Sequence, residues 1–161
     1  MAKILLGFMG AGKTTVGRIL DPSFHDMDEI ITEEIGMSIN DFFALKGEAE
    51  FRRIEAATLE RLLNQGAVII SPGGGIVVNP HNRELLEQND YNIFLQVDFD
   101  TLYERIENDK EMHRPLYLNN TREQFKKIFD ERQHLYEGIA THTIQVADKT
   151  PEEIAEIIRC L

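Results

Sequence analysis

Short apolar runs alternate with helical periods along the whole chain. Lys3 to Phe8 (K-I-L-L-G-F), Val68 to Ile70, Asn92 to Val97 (N-I-F-L-Q-V) and Thr143 to Val146 (T-I-Q-V) read as buried strands. Phe24-His25 is a weaker fifth strand. Between them lie segments with helical periodicity. Thr121-Arg122-Glu123-Gln124 is a capping box, and its apolar period continues through Phe125, Ile128, Phe129 and Leu135. Thr150-Pro151-Glu152-Glu153 places a cap, a first-turn proline and two acids at a helix start, followed by the stripe Ile154, Ile157, Ile158 and Leu161. Further helices are predicted over Thr14–Leu20, Met27–Ile35, Ser38–Leu45 and Glu48–Leu63, with Gly36 and Gly66 as stops. Strands alternating with helices predict βαβ units and a parallel sheet, an α/β sandwich.

At 161 residues the chain fits one domain and can bury a core without staples. Cys160 is the only cysteine, so no disulfide framework is expected, and the five histidines show no zinc-ligand spacing. No apolar run is long enough to span a membrane, and the N-terminal stretch Ile4–Met9 is too short for a secretory signal. The cytoplasm is the expected compartment. The net charge of −11 argues against nucleic-acid binding, which needs a basic footprint. An acidic protein can still hold an anionic ligand where a few cations converge, which draws attention to individual Arg and Lys positions.

Gly7-Phe8-Met9-Gly10-Ala11-Gly12-Lys13-Thr14 fits G-x-x-x-x-G-K-[ST] at every fixed position. The pattern arises by chance in roughly one chain in 200 of this size, so its context matters. It follows an apolar strand and opens a helical segment, as a phosphate-binding loop requires. The glycines let successive N–H groups turn toward phosphate oxygens, Lys13 can reach the β- and γ-phosphates, and the Thr14 hydroxyl can ligate Mg²⁺. A base-reading N-K-x-D loop is absent, which points away from GTPases and toward a small-molecule kinase.

Such a kinase needs an acceptor site, a metal helper and cations. Asp26-Met27-Asp28 follows the Phe24-His25 strand, where ligands of open α/β sheets bind. One carboxylate there could support Mg²⁺ and the other accept the proton of an attacking hydroxyl. Arg52 and Arg53 share a helix but project about 100° apart, so one at most faces a site squarely. Gly73-Gly74-Gly75 follows a strand, and one reason to keep three costly glycines is close packing on the backbone. Ser71 ends that strand and could face the metal. Arg114-Pro115-Leu116 lies in the polar stretch Glu107–Asn120, read as a mobile loop whose arginine could clamp phosphate. Arg132 lies on the Arg122–Tyr136 helix.

In this order the motifs G-F-M-G-A-G-K-T, D-M-D, G-E-A-E-F-R-R-I-E, S-P-G-G-G, R-P-L and E-R-Q-H-L-Y resemble shikimate kinase over nearly the whole chain. The resemblance implies a three-layer αβα P-loop fold of the nucleoside-monophosphate-kinase type, with a five-stranded parallel sheet in order 2-3-1-4-5. It implies a core carrying the P-loop at residues 7–14, a substrate-binding helical region at about 27–63 and a lid at about 107–121. The implied reaction moves the γ-phosphoryl of ATP to the 3-hydroxyl of shikimate on the chorismate route, with Mg²⁺ as cofactor. Asp28 would bind the shikimate hydroxyls and act as, or orient, the base. Thr14 and Asp26 would hold Mg²⁺, the latter through water. Gly10, Ala11, Gly12, Lys13, Thr14 and Thr15 would bind the phosphates. Arg52, Arg132 and the Gly74 amide would grip the carboxylate, with Gly73 and Gly75 completing the floor. Phe43 and Phe51 would line the ring pocket, and Glu55 would orient Arg52 or a hydroxyl. Arg114 would close over the phosphates, while Arg105 and Pro151 would flank adenine. The family implies a monomer.

The chain departs from the family after the P-loop. Gly17-Arg18-Ile19-Leu20 runs straight into Asp21-Pro22-Ser23-Phe24, about one and a half helical turns short. Pro22 prevents the helix from continuing. Either the first helix is trimmed, which could weaken the P-loop's support, or Leu20 and Asp21 are not true neighbours. Two other readings stand beside the resemblance. One is another small-molecule kinase, such as a gluconate kinase. The other is a non-catalytic nucleotide-binding module.

Overall fold

The computed structural model describes residues 1–109 and 115–161. In chain order the elements are β1 (Lys3–Leu6), α1 (Lys13–Leu20), β2 (His25–Asp26), α2 (Met27–Ile35), α3 (Ile39–Lys46), α4 (Glu48–Asn64), β3 (Ile69–Ser71), a single 3-10 turn (Ile76–Val78), α5 (Pro80–Glu87), β4 (Tyr91–Gln96), α6 (Phe99–Asn108), α7 (Pro115–Leu118), α8 (Arg122–Ile139), β5 (His142–Gln145) and α9 (Pro151–Arg159). The strands form one parallel sheet in the order β2-β3-β1-β4-β5, and helices surround it as a three-layer αβα fold. Ile4, Leu5, Leu6, Ile70, Ile93, Phe94 and Leu95 are all buried. Continuous apolar runs rather than alternation are what a sheet covered on both faces demands.

Two predicted helices have firm local causes. Thr121 and Thr150 each cap a helix with a complete capping box. Ser38 caps α3 through Asp41 N–H, and so lies just outside the helix it was predicted to begin. Three helices went unread in the sequence: α5, α6 and the short α7. Asp98 accepts from Thr101 N–H and opens α6, whose buried stripe is Phe99, Leu102 and Ile106. Asn79 and Pro80 open α5. The polar stretch Glu107–Asn120 is therefore not all loop: it takes in the end of α6 and the short α7.

Helices α2, α3 and α4 carry their own small apolar cluster of Ile31, Phe42 and Phe51, separate from the main core. This helical region thus has its own packing centre beside the sheet.

The short first helix is closed by a specific turn. Asp21 N–H donates to Gly17 O at 2.9 Å, and the Asp21 carboxylate accepts from Ser23 N–H at 2.8 Å. Phe24 then folds back onto the helix. A Cβ added to Gly17 would sit 2.7 Å from the Phe24 ring. Arg159 of α9 donates to Ile19 O at 2.9 Å, so a carbonyl of the last turn finds a partner on the C-terminal helix. These contacts support the P-loop helix where its length does not. Gly17→Leu would drive the Phe24 ring out of this seat. It is expected to cost about 2 kcal/mol by overpacking, read as a lower urea midpoint with unchanged m-value. An unchanged midpoint would show that Phe24 does not brace α1.

Candidate active site

The phosphate loop leaves the carboxyl end of β1. Gly10 and Gly12 adopt φ of 82° and 97°, a region that disfavours side chains. Gly12 caps α1 without a side-chain hydrogen bond, and the first turn of α1 carries no acid. The amide end of this helix is thereby left to an anion. Lys13 is 9% exposed. Its ammonium donates to Gly7 O at 2.5 Å and Phe8 O at 3.1 Å, on the loop's own carbonyls. The loop is anchored below by Phe8, whose ring packs 5.3 Å from both Phe125 and Phe129 of α8.

Next to it lie the acids. β2 pairs with β3 so that Asp26 stands beside Ser71. Asp26 caps α2 by accepting from Asp28 and Glu29 N–H. It also accepts from the Thr14 hydroxyl at 3.3 Å. Burial pushes the Asp26 carboxyl above its ordinary range, and the neighbouring Asp28 charge pushes it further. Thr14, Asp26 and Ser71 are oxygen donors in one cavity of about 280 Å³, together with Lys13, Gly12 and Thr15. This hard-oxygen set suits a divalent cation that keeps several waters and takes phosphate oxygens. Among the described residues no group of three or more His, Cys, Asp or Glu could hold a metal by itself.

The second cavity is larger, about 880 Å³. Its walls include Phe43, Phe51, Arg52, Glu55, Gly73, Gly74, Gly75 and Arg132. Arg52 faces inward and pairs with Glu55 at 2.9 Å and Glu48 at 3.4 Å. Arg53 turns outward to Glu50. The side chain of Glu55 is only 1% exposed. Burial raises its carboxyl pKa first, and Arg52 opposes that rise. An acid on the buried face of a helix is costly unless it has work to do. Arg132 is 9% exposed and lies 5.6 Å over the Phe8 ring. Burial lowers its guanidinium pKa.

Each of the three glycines yields space to a functional group. A Cβ on Gly73 would sit 2.8 Å from Asp28 Oδ1. On Gly74 it would sit 3.2 Å from Met9 N of the phosphate loop. On Gly75 it would come within 2.3 Å of Arg52 Nη1. The two cavities meet here: Met9, Asp28, Gly73, Gly74 and Asp109 border both.

The remaining expected residues fall less close. Arg105 extends to the phosphate loop, with Nη1 3.5 Å from Gly10 O. Pro151 begins α9 after β5 and borders neither cavity. Ala11 is buried in the loop. Arg114 lies outside the described residues. Sequence reasoning missed Met9, Thr32, Ser38, Asp109, Leu116, Asn119 and Asn120 as wall residues. It also missed Tyr136, whose hydroxyl donates to Gly74 O. The spacing of Arg132 and Tyr136, one helical turn apart in E-R-Q-H-L-Y, could have pointed to the latter.

Residues 9–161 match the family model described as shikimate kinase. A shikimate kinase of Streptococcus gordonii is 77% identical over 161 residues, covering all of both chains. The short link between Leu20 and Asp21 is therefore shared with that relative. A shikimate kinase of Streptococcus thermophilus is 52% identical over 163 residues, again covering both chains fully. Among solved structures, the shikimate kinase of Acinetobacter baumannii in complex with shikimate superposes with a TM-score of 0.88 at 31% identity, covering 98% of this chain and 90% of that one.

Proposed function

This chain belongs to the shikimate kinase family, and from that premise we propose how its residues carry the reaction. The enzyme transfers the γ-phosphoryl group of ATP to the 3-hydroxyl of shikimate, giving shikimate 3-phosphate and ADP on the route to chorismate and the aromatic amino acids. One observation carries the assignment of roles: a phosphate cavity and a larger cavity with two arginines meet beside the glycine floor, where Asp28 borders both.

The α1 amide end and the loop from Gly10 to Thr15 receive the ATP phosphates, and Lys13 leaves its carbonyls for the β- and γ-phosphates. Thr14 would hold Mg²⁺ directly, and Asp26 would hold it through water, with Ser71 alongside. When bound, the ion offsets negative charge on the phosphates. Arg52 and Arg132, with the amides of the glycine floor, grip the shikimate carboxylate. Phe43 and Phe51 pack on its ring. Glu55 fixes the rotamer of Arg52 by the 2.9 Å pair. Asp28 accepts a hydrogen bond from the attacking hydroxyl and takes its proton as the P–O bond forms. Arg114 covers the transferred group, and Arg105 and Pro151 bracket the adenine. The chain divides into a core around the P-loop at 7–14, substrate helices at about 27–63 and a lid at about 107–121. It works as a monomer in the cytoplasm, without nucleic acid or membrane. No helix among the described residues is long and apolar enough to cross a bilayer.

The test is ADP release from Mg·ATP with shikimate, with gluconate in parallel. Turnover is expected with shikimate alone and should fall to background on chelating Mg²⁺ with EDTA, returning when Mg²⁺ is restored. Turnover with gluconate, or nucleotide binding without turnover on either, would overturn the assignment.

A further inference from the structure

We propose that Tyr136 is a positioning residue for phosphoryl transfer: its hydroxyl holds the Gly73–Gly75 floor in register with the phosphate loop. This rests on reading the large cavity as the shikimate pocket. Tyr136 is fully buried on α8, one turn beyond Arg132. A buried phenol requires a hydrogen-bond partner, and this one donates to Gly74 O, 62 residues away in sequence. Burial raises its pKa, so the hydroxyl stays a proton donor at neutral pH.

That bond fixes more than a carbonyl. The structure has no cis peptides among its described residues, so the Gly75 N–H points opposite to Gly74 O across the same planar unit. With the carbonyl turned toward α8, the N–H turns away from it, on the residue that abuts the Arg52 guanidinium. Among the described residues no acceptor pairs with the N–H of Gly74 or Gly75. Both residues border the large cavity. Tyr136 therefore sets the angle at which a backbone donor and Arg52 face the same bound anion.

The other side of this loop rests on the phosphate loop, since a Cβ on Gly74 would sit tightly against Met9 N, at 3.2 Å. α8 grips that loop too, through Phe125, Phe129 and Arg132 around the Phe8 ring. One rigid helix thus holds both the donor loop, through Phe8, and the acceptor floor, through Tyr136. Removing the hydroxyl frees the floor and leaves the donor loop gripped.

The experiment is steady-state kinetics of Tyr136→Phe in the full chain, with shikimate and its methyl ester as acceptors, alongside thermal unfolding. Loss of one oriented donor set to a carboxylate is expected to raise KM for shikimate about tenfold while KM for ATP stays within about twofold. The preference for shikimate over its ester should fall by a similar factor, a change that a merely structural defect would not produce. Unchanged shikimate KM and unchanged acid-to-ester preference would overturn the proposal. So would a Y136F protein that is unfolded at the assay temperature, since the hydroxyl would then be a folding requirement. If the wild type fails to turn over shikimate in the same assay, the reading of the pocket falls as well.

Discussion

Asp28→Asn is expected to lower kcat for shikimate by about 100- to 10,000-fold, the range of a lost general base. Asparagine has the same shape and still accepts a hydrogen bond from the attacking hydroxyl, but it cannot take the proton. Asp28 borders both cavities, and its carboxylate lies against Gly73, which has no side chain of its own to crowd it. The KM for ATP should stay near the wild-type value, because the loop amides and Lys13 hold the phosphates. Asp26→Asn makes the contrast. Asparagine can keep the α2 cap and the Thr14 contact, so its main effect should be a higher Mg²⁺ requirement, partly rescued by raising Mg²⁺. Excess Mg²⁺ should not rescue Asp28→Asn. A D28N enzyme within tenfold of wild-type kcat would remove Asp28 from proton transfer and leave it an orienting role only.

The sequence makes the donor half of this site more legible than the acceptor half, for a physical reason. A phosphate loop is contiguous: strand, glycines, lysine and helix start follow one another, so Gly7 to Thr14 carries its own context. The larger cavity, proposed as the acceptor pocket, is assembled from α2, α3, α4, the glycine floor and α8, and each piece looks ordinary alone. Arg52 and Arg53 are indistinguishable in composition; only the fold decides that Arg52 turns to Glu55 and Arg53 to Glu50. The three glycines could have been a plain turn. Their reason appears only when Asp28, Met9 and Arg52 are seen pressed against them. Tyr136 is less legible still, since its partner is a backbone carbonyl that leaves no trace in sequence. Strands and capped helices were readable because local chemistry fixes them, as at Thr121 and Thr150. α5 was obscured by a short polar face. α6 carried a regular stripe at Phe99, Leu102 and Ile106 after an Asp98 cap, a signal of the same kind as those that were read.

The second large effect concerns the buried Arg52–Glu55 pair on the wall of the larger cavity. Arg52→Met is expected to abolish measurable shikimate turnover and to destabilise the fold by about 3 kcal/mol near neutral pH, the low end for breaking a buried ion pair. The low end is appropriate because Arg52 is partly exposed and Arg132 still faces Glu55. Loss of Arg52 removes two influences that hold the Glu55 carboxyl down, its charge and its hydrogen bond, so burial drives that pKa higher. The sign then follows. A carboxyl whose folded pKa is raised binds its proton more tightly in the native state, so its contribution is most favourable below the unfolded value, near 4.5, and is lost as pH rises through the folded one. The gap between R52M and wild type in denaturant midpoint should therefore narrow as pH falls toward 4.5 and widen toward neutrality. Glu55→Gln on the R52M background removes the stranded charge, and most of the lost stability should return while activity does not. That split separates two functions of one side chain: balancing Glu55 inside the protein, and presenting a cation to the substrate. A double variant as unstable as R52M alone would show that packing of the arginine stem, not the charge left on Glu55, accounts for the loss.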